Sequence, residues 1–322
     1  MNKTFTIYKV MSIQPEDKQL SKEVLKNPPA WFQENIETPV DDAFVEVDGA
    51  QIHYQRWRPK TPEPQTGLLF VHGNGAHAHW WDFIAPAFRE RFDVAALDMS
   101  GAGDSDHRQT YTPSTFTREI MTIAEHAGFN RPLIVGHSFG GSMARIAGWL
   151  RGSDLGGIIL VDSAISGTKG KRHVPGAPRG KVRYFESMDE AVRRFRLRPA
   201  QPCQNQYILD YIAAHSVKQT NQGYTFKLDQ SLFSRMTEDD QYDFPDGMTM
   251  LREIPCKVGL IYGDNSRFFP PEQVSRISPL FEPGLMDVIH GAHHHVFLDQ
   301  PLTFIDSLNR MLDQIMRAPP SD

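Results

Sequence analysis

Cysteine is scarce in this chain of 322 residues, which contains only Cys203 and Cys256. Two cysteines are too few for a disulfide framework, so we expect a reducing compartment and predict a cytoplasmic protein. Long apolar runs are also lacking, because no stretch approaches the roughly 20 residues that a membrane helix needs. The first residues show no sustained apolar segment, and we expect neither a signal peptide nor a membrane partner.

Positive charge is not in excess either. The net charge is −5 and the isoelectric point is about 6.2, which gives no reason to expect a nucleic-acid partner. Apolar residues make up 40% of the sequence, enough for one large domain or for one domain with an insertion. The sequence does not indicate an oligomeric state.

Short apolar runs alternate with helical patterns along most of the chain. Residues 44–58 form two alternating runs around Asp48-Gly49, which predicts a hairpin. Further apolar runs predict buried strands at residues 67–73, 92–98, 132–137, 157–162, 257–263 and 285–291. Helical spacing is found at residues 79–91, 114–129, 142–152, 270–281 and 301–317. Strands that are apolar throughout and alternate with helices predict an α/β fold, with a mostly parallel sheet flanked by helices.

The alternation is interrupted between about residues 166 and 249. Within this block, residues 167–235 contain 13 Lys and Arg but only 5 Asp and Glu, a net charge of +8. Such an interruption between two buried strands is too long for a loop, and we interpret residues 166–249 as an inserted, mainly helical lid (cap) domain. The core then comprises residues 41–165 and 250–318, and residues 1–40 form an N-terminal extension.

Two features of the lid bear on a binding pocket. Residues 204–216 carry an apolar stripe at helical spacing, which we expect to pack the lid onto the core and to roof a bounded, mostly apolar pocket. The segment RRFRLRP at residues 193–199 is basic. A solvated basic face is the favoured interpretation of this segment, and attraction of an anionic substrate is the alternative.

The candidate nucleophile is Ser138. Residues 136–140 read Gly-His-Ser-Phe-Gly, the G-x-S-x-G pattern, which here follows an apolar strand and opens a helix. In that context the pattern places a serine on a sharp turn at the carboxyl end of a sheet. The helix N-terminus behind this serine favours negative charge that develops during a reaction.

A second glycine-rich loop, FVHGNG at residues 70–75, follows an earlier strand. We expect the N–H groups of Asn74 and Phe139 to form an oxyanion hole, with an ordinary tight turn as the alternative. Trp80 and Trp81 come shortly after this loop. They are candidates for lining a substrate pocket, and packing in the core is the competing interpretation.

The segment HAHWWD brings His77, His79 and Asp82 together in sequence. Some metallohydrolases use H-x-H-x-D-H, but here the final histidine is absent and the spacing to the aspartate differs. We therefore predict no metal site and no organic cofactor.

A serine nucleophile needs a base within hydrogen-bond reach, and His293, His294 and His295 lie late in the chain. The order of elbow, long insertion and late histidine, with the segments HGNG, DMSGAGDS and GHSFGG, resembles the α/β-hydrolase fold superfamily. The resemblance covers roughly residues 44–315 outside the lid. It implies an α/β-hydrolase fold and a Ser-His-acid triad.

The resemblance also singles out one histidine. Members commonly carry a Gly-His pair, an acidic residue five positions after the histidine and a proline seven positions after it. Measured back from Asp299 and Pro301, that histidine is His294. The match is imperfect because His293 stands where the family usually has glycine, and His293 and His295 stay as alternatives.

The acid of the triad has two candidates. In the commonest branch of the superfamily it stands three residues after the glycine that ends the strand at 257–263, where this chain has Ser266. An esterase-like branch places the acid one strand earlier, which implies Asp162 at the end of the strand at 157–162. We favour Asp162, with Ser266 as a helper that bonds the imidazole or Asp162, and keep Asp264 as the alternative acid.

The resemblance therefore implies a carboxylesterase-like serine hydrolase that acts on a small-molecule ester, or on a lactone or thioester. Epoxide hydrolase and haloalkane dehalogenase chemistry are disfavoured, because those members use an aspartate where this chain has Ser138. Two alternatives stay open. One is a hydrolase that cleaves carbon–carbon bonds of ring-fission products, and the other is a ligand-binding receptor with a vestigial triad.

Overall fold

The computed structural model describes residues 28–61, 65–168, 182–239 and 241–317. Its strands are β1 (Asp41–Val47), β2 (Ala50–Trp57), β3 (Thr66–Val71), β4 (Phe92–Leu97), β5 (Leu133–His137), β6 (Gly157–Val161), β7 (Val217–Thr220), β8 (Gly223–Phe226), β9 (Val258–Gly263) and β10 (Met286–Ile289). Its α-helices are α1 (Ala30–Ile36), α2 (Pro113–His126), α3 (Phe139–Arg151), α4 (Met188–Arg193), α5 (Gln206–His215), α6 (Gly247–Glu253), α7 (Pro271–Ile277), α8 (Val296–Asp299) and α9 (Pro301–Met316). Residues 1–27 of the predicted extension, residues 169–181 of the predicted lid and the last residue of the predicted core lie outside the described residues.

Eight strands form one sheet in the order β1-β2-β4-β3-β5-β6-β9-β10. The hairpin of β1 and β2 turns at Asp48-Gly49, where both residues have positive φ angles of 48° and 76°, as a two-residue hairpin turn requires. β2 pairs antiparallel with β4, and the strands from β4 across to β10 are parallel. The predicted mostly parallel α/β fold is confirmed.

Helices cover both faces of this sheet. One face packs against α9, which contributes the fully buried Phe304, and α1 adds Phe32 to the same hydrophobic core. The other face packs against α2 and α3, which contribute the fully buried Phe116 and Ile146. The central strands are apolar throughout because side chains on both of their faces leave water. Among the described residues, no helix is both long and apolar enough to cross a membrane.

The segment at 79–91 differs from the single helix that its spacing predicts. It forms two short 3-10 helices, Ala78–Trp81 and Ala85–Phe88. Pro86 lacks an N–H group and therefore cannot donate to the carbonyl four residues earlier. The chain instead makes bonds across three residues, such as those from Ile84 N–H to the Trp81 carbonyl and from Ala87 N–H to the Ile84 carbonyl.

The insertion between β6 and β9 contains α4, α5, the β7–β8 hairpin and α6. Helix α5 lies against the core through Ile208 and Ile212, both fully buried. Tyr211 of the same helix donates a hydrogen bond from its hydroxyl to the buried carboxylate of Asp82. The apolar stripe predicted at residues 204–216 therefore attaches this part of the insertion to the core.

Part of the N-terminal extension is also attached to the insertion. Helix α1 buries Phe32 completely. The ring centroid of Phe32 lies 5.6 Å from that of Phe83 in the core, and 4.9 Å and 5.7 Å from those of Tyr207 and Tyr211 in α5. An aromatic cluster thus joins α1, the core and the insertion.

Candidate active site

Ser138 lies on a strained turn between β5 and α3. Its φ angle is 51°, in a region that residues with a side chain seldom occupy. The glycines around it permit close backbone approach. A Cβ atom at Gly140 would lie 2.3 Å from the carbonyl oxygen of His72, and one at Gly136 would lie 2.7 Å from the carbonyl oxygen of Gly140. The turn holds Ser138, which is only partly buried, at the carboxyl end of the sheet.

The structure brings Ser138, His294 and Asp162 into one hydrogen-bonded chain. His294 Nε2 lies 2.9 Å from Ser138 Oγ, and His294 Nδ1 lies 2.7 Å from Asp162 Oδ1. Asp162 follows β6 with a φ angle of 43° and is fully buried. This is the geometry in which a histidine can accept a proton from a serine while a carboxylate orients the ring.

Ser266 contacts the same carboxylate oxygen as His294. Its hydroxyl donates to Asp162 Oδ1 at 2.7 Å, and the N–H of Gly263 donates to Asp162 Oδ2 at 3.0 Å. Asp264 is exposed, accepts the N–H of Gly291 at 2.8 Å and lies 3.0 Å from His290 Nδ1. The structure thus places Asp162 at His294 and leaves Asp264 outside this network.

Burial decides the electrostatics of the pair. It lowers the pKa of His294, and the cation of Arg267 lowers it further. The imidazole is therefore neutral near pH 7 and can act as a base. Burial raises the pKa of Asp162, and the hydrogen bonds from Ser266 and Gly263 oppose that rise by stabilising the carboxylate.

The two neighbouring histidines have other surroundings. His293 turns towards Asp299, whose Oδ2 accepts the backbone N–H of His293 at 2.7 Å and lies 3.1 Å from His293 Nδ1. His295 is buried, and its ring centroid lies 5.3 Å from that of Trp80. Of the three consecutive histidines, His294 alone contacts Ser138.

The predicted oxyanion loop passes directly beside the nucleophile. A Cβ atom at Gly73 would lie 2.7 Å from His137 Nδ1 and 3.2 Å from Ser138 Cβ, so the loop approaches this closely only without a side chain there. Asn74 and Phe139 line one small cavity of about 10 Å³. Its apolar wall includes Phe116, Leu232 and Phe233.

The two tryptophans have different roles in the fold. Trp80 lines a second, larger cavity of about 130 Å³. Trp81 lines neither of these two cavities, because it is fully buried in the core, 4.8 Å from Phe70 and 4.5 Å from Phe297 between ring centroids. For Trp81 the structure thus favours the competing interpretation, packing in the core. Burial in the core removes the whole side chain of Trp81 from water, which stabilises the fold.

Residues of the predicted oxyanion loop and of the insertion both line the larger cavity. Its lining includes Asn74 and Gly75 from the loop and Phe226 and Leu228 from the insertion. Four basic side chains also line it, namely Arg194, Arg196, Arg198 and Lys227. Among the described residues that line this cavity there is no aspartate or glutamate.

Two polar residues of the insertion hold the segment that carries His294. Gln201 Oε1 accepts the backbone N–H of His295 at 2.9 Å, and Gln201 Nε2 donates to Asp299 Oδ2 at 3.0 Å. Asn205 Nδ2 donates to the carbonyl of Leu298 at 2.7 Å. Sequence patterns carried no signal for these contacts, because they join segments far apart in the chain.

Some polar groups of the HAHWWD segment are hydrogen-bonded within the protein. His77 Nε2 lies 2.8 Å from Ser216 Oγ, and His79 Nδ1 lies 2.7 Å from Asp82 Oδ2. His215 brings a further ring nitrogen into the same cluster, where potential ligand atoms of His79, Asp82 and His215 lie within 4.8 Å of one another. The predicted lack of a metal site stays a prediction.

Comparisons with known proteins agree with this fold. A family model described as the alpha/beta hydrolase family matches residues 68–307. The uncharacterized hydrolase YugF of Bacillus subtilis is 32% identical over 100 residues, which cover 30% of this chain and 36% of YugF. A soluble epoxide hydrolase of a Corynebacterium strain is 29% identical over 99 residues, which cover 30% of this chain and 33% of that protein.

An esterase of Mycobacterium tuberculosis, Rv0045c, is similar in both sequence and structure. It is 27% identical over 159 residues, which cover 48% of this chain and 51% of the esterase. Its crystal structure superposes with a TM-score of 0.64 at 18% identity, covering 95% of this chain and all of that one. The aligned sequence thus spans about a third to a half of these curated relatives. Because the family model matches residues 68–307, most of this chain, the chain belongs to the alpha/beta hydrolase family.

Proposed function

We propose that this protein is a serine hydrolase that cleaves a carboxylic ester, or a lactone or thioester, through an acyl-enzyme. The observation that carries the proposal is the chain of short contacts from Ser138 through His294 to Asp162, with distances of 2.9 Å and 2.7 Å. Similarity to esterase Rv0045c supports an ester as the substrate. Serine at position 138 argues against the epoxide hydrolase reaction of other relatives, since the enzymes of that branch are expected to use an aspartate there.

The proposed reaction assigns a residue to each step. Ser138 Oγ attacks the acyl carbonyl while His294 Nε2 takes its proton. The oxygen that becomes negative in the tetrahedral intermediate is stabilised by the N–H groups of Asn74 and Phe139. His294 then gives the proton to the leaving alcohol. Water attacks the acyl-enzyme with His294 again as the base, and the bond to Ser138 Oγ breaks as His294 returns the proton to that oxygen and the acid is released. Asp162 holds the ring and stabilises the imidazolium.

Carbon–carbon bond hydrolysis is the second candidate. The same three residues would serve it, and the basic lining of the larger cavity favours a substrate with carboxylate groups. The first test therefore measures ester turnover directly.

The test compares steady-state hydrolysis of short-chain 4-nitrophenyl esters by the wild type and three variants. We expect Ser138→Ala to abolish turnover and Asp162→Asn to lower kcat by up to about 10⁴-fold, because an amide neither stabilises the imidazolium nor selects the correct tautomer. Asp264→Asn is the matched control, since it makes the same chemical change at the exposed aspartate, and it should retain wild-type kcat.

Other outcomes would point elsewhere. Collapse of Asp264→Asn with an active Asp162→Asn would contradict the proposed triad. A wild type that a fluorophosphonate labels at Ser138, but that barely turns over esters, would favour the receptor or carbon–carbon cleavage. Neither labelling nor turnover in the wild type would overturn the proposed function.

A further inference from the structure

We infer that the larger cavity, which the predicted oxyanion loop helps to line, is a subsite for an anionic arm of the substrate, a carboxylate or a phosphate. The inference rests on the proposed function, because it names the class of ester that the same site accepts. It is carried by the position of the cavity, by the charge of its lining and by its size.

The position ties the cavity to the reaction. Asn74 and Gly75 of the oxyanion loop form part of its wall, and the loop touches the nucleophile at Gly73. Arg198 lies against this loop, since a Cβ atom at Gly75 would lie 4.0 Å from Arg198 Cδ. An anionic group in the cavity would therefore be joined by a short linker to an ester carbonyl held at Ser138.

The charge of the lining is positive and in part uncompensated. Lys227 pairs with Asp104 at 2.7 Å, and Arg196 donates to the backbone carbonyls of Arg193 and Phe195. Arg194 and Arg198 are exposed, and among the described residues no carboxylate lies within ion-pair distance of either. Within the described part of the chain, these two guanidinium groups are therefore not held by a carboxylate, and guanidinium binds carboxylate and phosphate in a bidentate manner.

The size of the cavity fits one arm of a substrate. Its volume is about 130 Å³, well below the roughly 300–1,000 Å³ that holds a whole drug-sized ligand. The small cavity shares Asn74 and Gly75 with the larger one and is lined by apolar residues such as Phe116, Leu232 and Phe233. The pair of cavities therefore favours an ester with a charged arm on one side and a short apolar group on the other.

The test uses two pairs of esters that differ in charge. Mono-4-nitrophenyl adipate and 4-nitrophenyl hexanoate compare a charged with a neutral acyl arm. The esters 4-acetoxybenzoate and methyl 4-acetoxybenzoate compare a charged with a neutral alcohol arm. In at least one of the two pairs, we expect the wild-type kcat/KM to be higher for the anionic ester than for its neutral partner. Added NaCl should reduce this preference, because salt screens the charges.

Variants then assign the preference to the cavity. Arg198→Gln should lower the ratio of kcat/KM for the anionic ester to that for its neutral partner by roughly tenfold or more, since a hydrogen bond to a charged group is worth about 1.5–3 kcal/mol. Arg193→Gln is the matched control, because Arg193 is an exposed arginine of the same segment that does not line the cavity. Its ratio should equal that of the wild type.

The outcomes separate this inference from the proposed function. Two results overturn the inference alone, provided that ester hydrolysis depends on Ser138. One is no anionic preference in either pair, and the other is a preference that Arg198→Gln leaves unchanged. If no ester is hydrolysed, the proposed function fails, and calorimetric titration of Ser138→Ala with adipate and with 4-hydroxybenzoate decides the inference. Binding that weakens on adding Arg198→Gln supports the subsite, and no binding refutes it.

Discussion

Replacement of Ser266 by alanine tests how the buried carboxylate of Asp162 is held. Asp162 is fully buried, and its oxygens accept hydrogen bonds from Ser266 and Gly263 in addition to the contact with His294. The change to alanine removes the Ser266 donor and leaves the other two contacts in place. It therefore weakens the support of the carboxylate without removing the carboxylate itself.

The size of the effect follows from the bond that is lost. A hydrogen bond from a neutral donor to a charged group contributes about 1.5–3 kcal/mol, which corresponds to a rate effect of roughly 10- to 150-fold if the whole bond counts in the transition state. Because Gly263 still supports Asp162, we expect kcat of Ser266→Ala to fall by about tenfold. This loss is much smaller than the loss of up to about 10⁴-fold expected for Asp162→Asn.

The pH profile gives a second measure of the same bond. Burial raises the pKa of Asp162, and the hydroxyl of Ser266 opposes that rise. Without the hydroxyl the pKa of Asp162 rises further, so the carboxylate is protonated at a higher pH. The acid limb of the profile of kcat against pH should therefore move to higher pH. This limb reports the coupled titration of Asp162 and His294.

The assay is steady-state hydrolysis of 4-nitrophenyl acetate between pH 5 and 9. Ser266→Thr is the control for the hydroxyl, since it keeps the donor, and it should recover most of the activity and the original acid limb. A Ser266→Ala protein with wild-type kcat and an unmoved acid limb would refute the role of Ser266. A fall in kcat that Thr does not restore, with the acid limb unmoved, would reduce that role to packing.

Two further predictions concern stability. Phe32→Ala should lower the free energy of unfolding by about 3–5 kcal/mol, because the ring is fully buried and a cavity results. Urea denaturation measures this loss. As a control, Gln33→Ala at an exposed position should change the free energy of unfolding by less than about 0.5 kcal/mol. Equal effects of the two substitutions would contradict the packing of α1. His53 is buried between Asp42 and Asp98; burial alone lowers its pKa, but the two carboxylates raise it to about 10. Its stabilisation is complete below the unfolded pKa of about 6.5 and is lost as the pH rises towards 10. Asp42→Asn should therefore be least stable relative to the wild type at pH 6, with a difference that shrinks by pH 9.5, and a difference independent of pH would contradict this ion-pair network.

The strands and the nucleophile elbow could be predicted from the sequence because local patterns encode them. Apolar runs mark the parallel strands, and the G-x-S-x-G glycines mark a turn that tolerates no side chain at Gly136 or Gly140. The structure brings together Ser138, His294 and Asp162, but residues alone left three histidines and two aspartates open. The choice among them came from resemblance, since a triad is defined by distances between distant parts of the chain.

The features that were missed depend on tertiary contacts. Helix α1 has only seven residues, too few for helical spacing to stand out in the sequence. It is held by the burial of Phe32, with Trp31 and Ile36 packed against the same core. Trp81 stands beside Trp80 in sequence, yet the two side chains leave the same 3-10 helix in different directions. The neighbours that decide such positions lie more than a hundred residues away, as for Phe32 and Tyr211.

The hydrogen bonds of Gln201 and Asn205 have a consequence for how this protein can diversify. Both residues belong to the insertion, yet they fix the backbone of the loop that carries His294. An insertion with this attachment cannot be exchanged between relatives as a detachable module, because the incoming segment must also supply an acceptor for the His295 N–H and a donor for the Leu298 carbonyl. In the proposed function, substrate preference and the position of His294 are thereby linked through the insertion, and specificity should change more readily by substitution within it than by its replacement.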